Sequence, residues 1–185
     1  MSQDLPVTSY ALLGLLTFGD ELTGYELKQR ADSTLRFYWV SPAMSQVYSE
    51  LARLTEAGLV RRRREERGTT YTISVKGRRT LERWMRETPA GFPVFKHPVA
   101  LRLMVGHLTD TDTLRTMLEE YVEEVRAARS DLRGVRTDLV GQDAPGQPFH
   151  HPSMVADWGL AHFDNEIRIA RRLLVRLGEE SEEEH

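Results

Sequence analysis

Cysteine is absent from the chain. That excludes disulfides, thiolate metal ligands and a cysteine nucleophile, and it fits a reducing compartment. No run of 18 apolar residues occurs, so no membrane-spanning helix is expected. Met1–Val7 lacks the basic-then-apolar pattern of a secretory signal, and the expected location is cytoplasmic. A glycine-rich phosphate loop, a nucleophile elbow and a paired histidine–carboxylate metal motif are missing as well. Carboxylates are plentiful, but no spacing among them divides acid from base roles. Neither an enzyme nor a cofactor is expected. What is present is the composition of a folded protein, 40% hydrophobic and 29% charged over 185 residues, with room for one large domain or two small ones.

The net charge of −3 conceals a division. Residues 1–90 hold 14 Lys+Arg against 11 Asp+Glu, net +3, and residues 91–185 hold 11 against 17, net −6. Within Leu51–Arg86 the balance is 11 against 4, net +7. One concentrated basic segment in a mildly acidic chain points to an anionic partner met on a single face.

That segment sits in a recognisable order of elements. Thr8 to Phe18 reads as a helix capped by Thr8, with Leu12, Leu13, Leu15 and Leu16 apolar and Gly19 as its stop. Thr23-Gly-Tyr-Glu26 has the spacing of a capping box and opens a second helix, with Tyr25, Leu27 and Ala31 expected inside. Ser41-Pro42 reads as the cap and first residue of a third. There Val47, Leu51 and Leu54 form one inward stripe, and Gly58 ends it. The opposite side carries Ser45, Gln46, Ser49 and Arg53, with Tyr48 near the edge, groups suited to phosphates and base edges. Leu59–Glu65 and Thr69–Val75 then flank the turn Glu66-Arg67-Gly68 as a β-hairpin. Its first strand holds Arg61 to Arg64; its second alternates Tyr71 and Ile73, expected buried, with Thr70, Thr72 and Ser74. A helix follows with Leu81, Trp84 and Met85 expected inward. This is the order of a winged helix-turn-helix, whose third helix enters the major groove while the wing reaches the backbone. The expected DNA-facing residues are Ser41, Met44, Ser45, Gln46, Tyr48, Ser49, Arg53, Arg61, Arg63, Arg64, Arg67 and Thr69.

Three stretches carry a family resemblance. They are Gly24-Tyr-Glu-Leu27, the run Ser45-Gln-Val-Tyr-Ser-Glu-Leu-Ala-Arg-Leu-Thr-Glu-Ala-Gly-Leu-Val60, and Tyr71-Thr-Ile-Ser-Val-Lys-Gly-Arg78. Together they resemble the PadR family of transcriptional regulators. Gln46 and Ser74 depart from it, each where a threonine is common; the first bears on operator contacts, the second is conservative for a cap. The resemblance covers about half the chain and implies a repressor that responds to phenolic or other aromatic compounds.

The remainder reads as helical. Thr88 to Pro93 is a linker, a helix is expected from about Pro98 to His107, and Thr109-Asp-Thr-Asp112 opens the next. Leu114, Leu118, Tyr121, Val125, Ala128, Leu132, Val135 and Leu139 then alternate spacings of four and three, the mark of a helix–helix seam. The seam admits two partners, the same chain folding back or a second subunit. DNA readers of this type bind as dimers, so Leu114, Leu118, Tyr121, Val125, Leu132 and Val135 are expected at a subunit interface. Gly141 to Pro152 reads as a loop. The last helix shows two apolar stripes, one through Trp158, His162 and Asn165 and one through Phe163, Ile167 and Leu174, and so is expected to be covered on both sides.

His162 and Asn165 admit two readings, satisfied core residues or polar contacts in a ligand pocket. On the second, Trp84, Phe92, Phe95, Trp158, His162 and Asn165 would hold a small aromatic effector. His150-His151 lie in a loop where solvent exposure is the usual state, and no metal site is expected. The expected fold is mainly α with a small β-hairpin: a winged helix-turn-helix domain over 1–89 and a helical dimerisation domain over 90–185. The expected partners are a double-stranded DNA operator, a second copy of the chain and a small aromatic effector, and no membrane. A winged-helix adaptor that binds protein without DNA is the alternative, and the four-arginine strand speaks against it.

Overall fold

Leu12, Leu13, Leu15 and Leu16 put so wide an apolar face on one short helix that it has to be covered on most sides. All four are buried. The helix, α1 (Val7–Leu15), passes into a 3-10 turn, Leu16–Phe18, which Gly19 ends at φ +93°. Pro6 stands at its cap position, where Thr8 was expected, so no side chain caps it. The computed structural model describes residues 5–19, 21–66, 68–92 and 96–183, with side chains of the last helix described through 179. Two compact units divide the chain, Met1–Gly91 and Phe92–His185.

In the first unit, β1 (Leu22–Thr23) leads into α2 (Gly24–Thr34) through the expected capping box. The Thr23 N–H donates to Glu26 Oε2 at 2.7 Å, and the Glu26 N–H donates to Thr23 Oγ1 at 3.2 Å. Leu27 and Ala31 are buried, but Tyr25 is exposed. The helix α3 (Met44–Glu56) begins later than Ser41-Pro42 suggested. Ser41 Oγ donates to Asp32 Oδ1 at 2.6 Å instead of capping, so Ala43 takes the cap position. Ala43 has no side-chain acceptor, and only the reciprocal half of a capping box forms, from the Ala43 N–H to Gln46 Oε1 at 2.9 Å.

The sheet is one strand wider than expected. β2 (Val60–Glu65) and β3 (Gly68–Ile73) form the antiparallel hairpin, and β1 adds to the far edge of β3, giving the order β1-β3-β2. A central strand has neighbours on both edges, and this buries Thr70, expected on the wet side, while Tyr71 and Ile73 are half-buried. The helix α4 (Val75–Glu87) follows. Leu81 and Trp84 turn inward in part; Met85, expected inward, is exposed. With α1, α2 and α3 packed into one core, the unit is a winged helix-turn-helix.

The second unit contains α5 (Pro98–Met104), a 3-10 turn at Gly106–Leu108, α6 (Thr111–Asp138) and α7 (His150–Glu183). The seam on α6 is intramolecular, which corrects its assignment to a subunit interface. Leu118, Val125 and Leu132 are closed off by the chain itself, and Leu118 and Val122 form a cluster with Ala170, Ile167 and Leu174 of α7. Leu114, Tyr121 and Val135 are half-buried, Leu114 against Gly106. Ion pairs along the edges define an antiparallel hairpin: Arg129 grips Asp164 at 2.6 and 3.2 Å, and Arg136 reaches Asp157 at 2.8 Å. No helix among the described residues is long and apolar enough to cross a membrane.

One glycine is fixed by a close approach. A Cβ on Gly77 would lie 2.1 Å from the backbone oxygen of Leu59, and backbone cannot give way as a flexible side chain can. Gly77→Ala is expected to destabilise the first unit by about 1–3 kcal/mol, the usual range for overpacking. Gly134→Ala meets nothing within 4 Å on α6 and is expected to stabilise by about 0.5–1 kcal/mol through helix propensity. Urea denaturation of the two variants checks the opposite signs.

Candidate nucleic-acid interface

The orientation of α3 follows from its inner stripe. Val47, Leu51 and Leu54 have no solvent exposure and pack in the core formed by Leu12, Leu13, Leu16 and Leu27. Three such side chains, each worth about 1.5–3 kcal/mol on burial, leave little freedom for the helix to rotate. Ser45, Gln46, Tyr48, Ser49 and Arg53 are consequently exposed, and Met44 is half-exposed. Tyr48 is not free on both sides: a Cβ on Gly24 would fall 2.5 Å from its Cε1, so the ring lies against the start of α2. Gln46 presents its amide to solvent while its oxygen is engaged at the helix start.

Glu50 is the residue on α3 that the spacing of apolar positions did not single out. It is buried, accepts a hydrogen bond from the buried Ser9 hydroxyl of α1, and lies 3.6 Å from Arg53 Nη2. A carboxylate here ties the reading helix to α1 and steers the one arginine on its outer face.

Two links hold the far end of α3. Ser74 Oγ donates to the Gly58 carbonyl at 2.8 Å and accepts from the Gly77 N–H at 2.9 Å. Lys76 Nζ donates to the Ala57 carbonyl at 2.7 Å. The last turn of α3, the base of the hairpin and the start of α4 therefore move together. At the other end, hydrogen bonds from Lys28 and then Ser41 hold the Asp32 carboxyl below the usual carboxylate range, which anchors the turn before α3. That turn exposes Tyr38, Trp39 and Val40.

On the hairpin the register pairs Arg61 with Thr72, Arg62 with Tyr71, Arg63 with Thr70 and Arg64 with Thr69. Alternation puts Arg61 and Arg63 on one face and Arg62 and Arg64 on the other. All four are exposed, and only Arg63 meets a carboxylate among the described residues, Glu65 at 3.7 Å. Thr69 is half-buried. Arg67, expected at the wing tip, lies outside the described residues. An exposed polar helix face thus lies in the same small unit as a strand of four exposed guanidinium groups, an arrangement suited to a polyanion with readable edges.

The residues expected in an effector pocket are divided between the two units. Trp84 stacks on Tyr10, ring centroids 4.7 Å apart and planes 11° from parallel, inside the first unit. Phe92 is 92% and Trp158 71% exposed. His162 is exposed beside Phe163, and Asn165 bonds Arg168 on its own helix. Phe95 lies outside the described residues. The second unit does hold a polar cluster that sequence spacing missed. His97, at the start of α5, places Nε2 2.9 Å from the Tyr121 hydroxyl and 3.1 Å from Glu166 Oε2, and Tyr121 donates to Glu166 at 2.9 Å. Burial, with the Glu166 bond, pushes the Tyr121 phenol well above its ordinary value. The interruption of the α6 seam by a tyrosine was the one visible signal; its partners lie 24 and 45 residues away. Among the described residues no group of three His, Asp or Glu side chains is placed to hold a metal ion.

The chain is 30% identical over 145 residues to the negative transcriptional regulator PadR of Bacillus subtilis (strain 168), which spans 75% of this chain and 78% of that protein. Solved structures of Bacillus subtilis PadR share the fold at 24% identity. One, in complex with operator DNA, has a TM-score of 0.81 and covers 93% of this chain and 99% of that one. Another, in complex with p-coumaric acid, has a TM-score of 0.78 and covers 94% and 99%. No family model matches the chain.

Ser9→Ala removes the hydroxyl from a carboxylate that stays buried, and the expected cost is about 1–3 kcal/mol for an undersatisfied group. Ser9→Ala combined with Glu50→Gln should recover part of it, since a neutral amide is cheaper to bury. Thermal unfolding of the single and double variants checks this. A double variant less stable than Ser9→Ala would show that Glu50 owes its place to Arg53 alone.

Proposed function

Because this chain belongs to the PadR family of transcriptional regulators, we propose that it represses transcription as an operator-bound dimer that a small aromatic effector releases. The observation that carries the reading is the strand of four exposed arginines in the same unit as the exposed polar face of α3. In this reading α3 lies in the major groove, where Ser45, Gln46 and Ser49 reach base edges and Arg53, steered by Glu50, meets a base or a phosphate. Tyr48, Met44 and Thr69 border that surface, and Arg61, Arg63, Arg64 and Arg67 take the neighbouring phosphates. Ser41 contributes by bracing the turn through Asp32. Such a regulator works in the cytoplasm.

Release needs an effector that favours a different arrangement of the two reading helices, and about 1.4 kcal/mol of difference gives a tenfold loss of affinity. Of the proposed contacts on α7, Trp158 and His162 are exposed and Asn165 is half-buried, so a second subunit would complete their site. The links from α4 to the end of α3 provide a rigid handle through which a displaced α4 would carry the reading helix with it.

Fragments selected from genomic DNA by the purified protein supply the operator. Affinity for it is expected to fall steeply with salt, by about 0.9 log units per decade for each phosphate neutralised. Arg61→Ala with Arg63→Ala should weaken all sequences alike and flatten the slope by about two such contacts. Gln46→Ala should alter which sequences are preferred at little change of slope. Anisotropy titrations at several salt concentrations decide; a salt-independent complex would overturn the reading.

A further inference from the structure

Arg53 is the one basic residue of α3, and its surroundings set it apart from the arginines of the hairpin. At about 100° per residue, Ser45, Ser49, Arg53 and Gln46 follow one another within roughly 100° of arc; Glu50 comes next, then the buried Leu54, Val47 and Leu51. Arg53 therefore stands inside the polar face and not at its margin. Side chains on a helix lean toward its N-terminus, which carries the guanidinium back over Ser49 and toward Glu50. Its Nη2 lies 3.6 Å from Glu50 Oε1, and the other oxygen of that carboxylate accepts the hydroxyl of Ser9 on α1. Glu50 is buried and Ser9 has no solvent exposure, so the tether is anchored in the core. About half of the Arg53 side chain stays in solvent.

A guanidinium beside a buried carboxylate presents little net charge at a distance, and the carboxylate repels a phosphate brought to the same spot. What remains is a planar fork of N–H donors held at a set angle. Such a fork matches the paired acceptors of one base edge in the major groove, N7 and O6 of guanine. Adenine offers N7 but sets an amino donor where guanine has O6, so the same fork is turned away there. We propose that Arg53 reads a guanine of the operator and that Glu50, fixed by Ser9, is the positioning residue that aims it. The proposal rests on the operator-binding reading above and assigns the sequence preference of that surface. An arginine so held loses less side-chain freedom on binding than one moving in solvent. The exposed arginines of the hairpin take the other role, contacts to phosphate that carry affinity without sequence.

For the test, each G·C pair of the selected operator is replaced by A·T in turn, and binding to these duplexes and to unrelated DNA is titrated at several salt concentrations. Wild type is expected to lose about 5- to 150-fold at the pair that Arg53 reads. Arg53→Ala should erase the preference at that pair and no other, with the salt slope changed by less than one phosphate contact. Arg53→Lys keeps the charge, loses the fork and should erase it too. Glu50→Gln should weaken the preference at the same pair several-fold, raise affinity for unrelated DNA and steepen the slope by about one contact. It should add nothing in the Arg53→Ala background, whereas a merely structural role would lower affinity for every sequence alike. Circular dichroism checks folding; if Glu50→Gln unfolds, Ser9→Ala, which keeps the carboxylate and removes its anchor, should weaken the same preference. Uniform weakening by Arg53→Ala, or no pair whose preference depends on Arg53, would overturn the proposal. A preference lost in Arg53→Ala but intact in Glu50→Gln and Ser9→Ala would overturn the role of Glu50. A wild type that selects no operator would instead overturn the operator-binding reading, and this assignment with it.

Discussion

Val47, Leu51 and Leu54 close the first unit's core from the side of α3, and everything proposed for that unit depends on their burial. Their stripe sets which way α3 is turned, and thereby that Ser45, Gln46, Ser49 and Arg53 look outward together. A rotation by one residue, about 100°, would bury part of that polar face and expose leucine. The core resists such a rotation with several buried side chains, while hydrogen bonds from Ser74 and Lys76 fix the helix's far end. The hairpin leaves the end of α3 within four residues, so its arginines inherit the same frame.

The buried Glu50 shows how such a frame can serve a surface. An ionised group inside a core is costly unless it is bonded. The Ser9 hydroxyl and the Arg53 guanidinium both engage it, so the stability of α1 against α3 and the direction of an outward arginine are set by one side chain. A comparable economy operates in the second unit, where His97, Tyr121 and Glu166 tie α5, α6 and α7 around a shared set of hydrogen bonds. Both clusters act by fixing the mutual placement of helices.

The second unit works on a different balance. Its seam is buried within the chain, which leaves the outer surfaces of α6 and α7 to carry its dealings with other molecules. Those surfaces are polar and highly charged on α6, and mixed on α7, where Met154, Trp158, Ile169 and Val175 stand exposed among arginines. Apolar groups at this density on a charged helix favour cover by a partner.

Local spacing determined much of this protein. The Thr23 capping box, the inward stripe of α3, the arginine strand and the heptad-like run of α6 are each set within about seven residues by helix and strand periods, and each forms where its spacing required. The family, too, was legible in three short stretches, because they encode a turn, a reading helix and a wing in fixed succession. Tertiary structure decided the matters in which separate segments compete for the same group. Ser41 stands where a cap for α3 is expected, but Asp32 takes its hydroxyl, and the helix begins at Met44. Thr70 reads as a wet strand residue until β1 arrives on the open edge of β3 and buries it. A seam on α6 is the same whichever helix fills it; the pairs Arg129–Asp164 and Arg136–Asp157 show that α7 of the same chain does. Period specifies a face, but the partner of a face is chosen by chain connectivity and by charges 21 to 35 residues apart, which no local pattern contains.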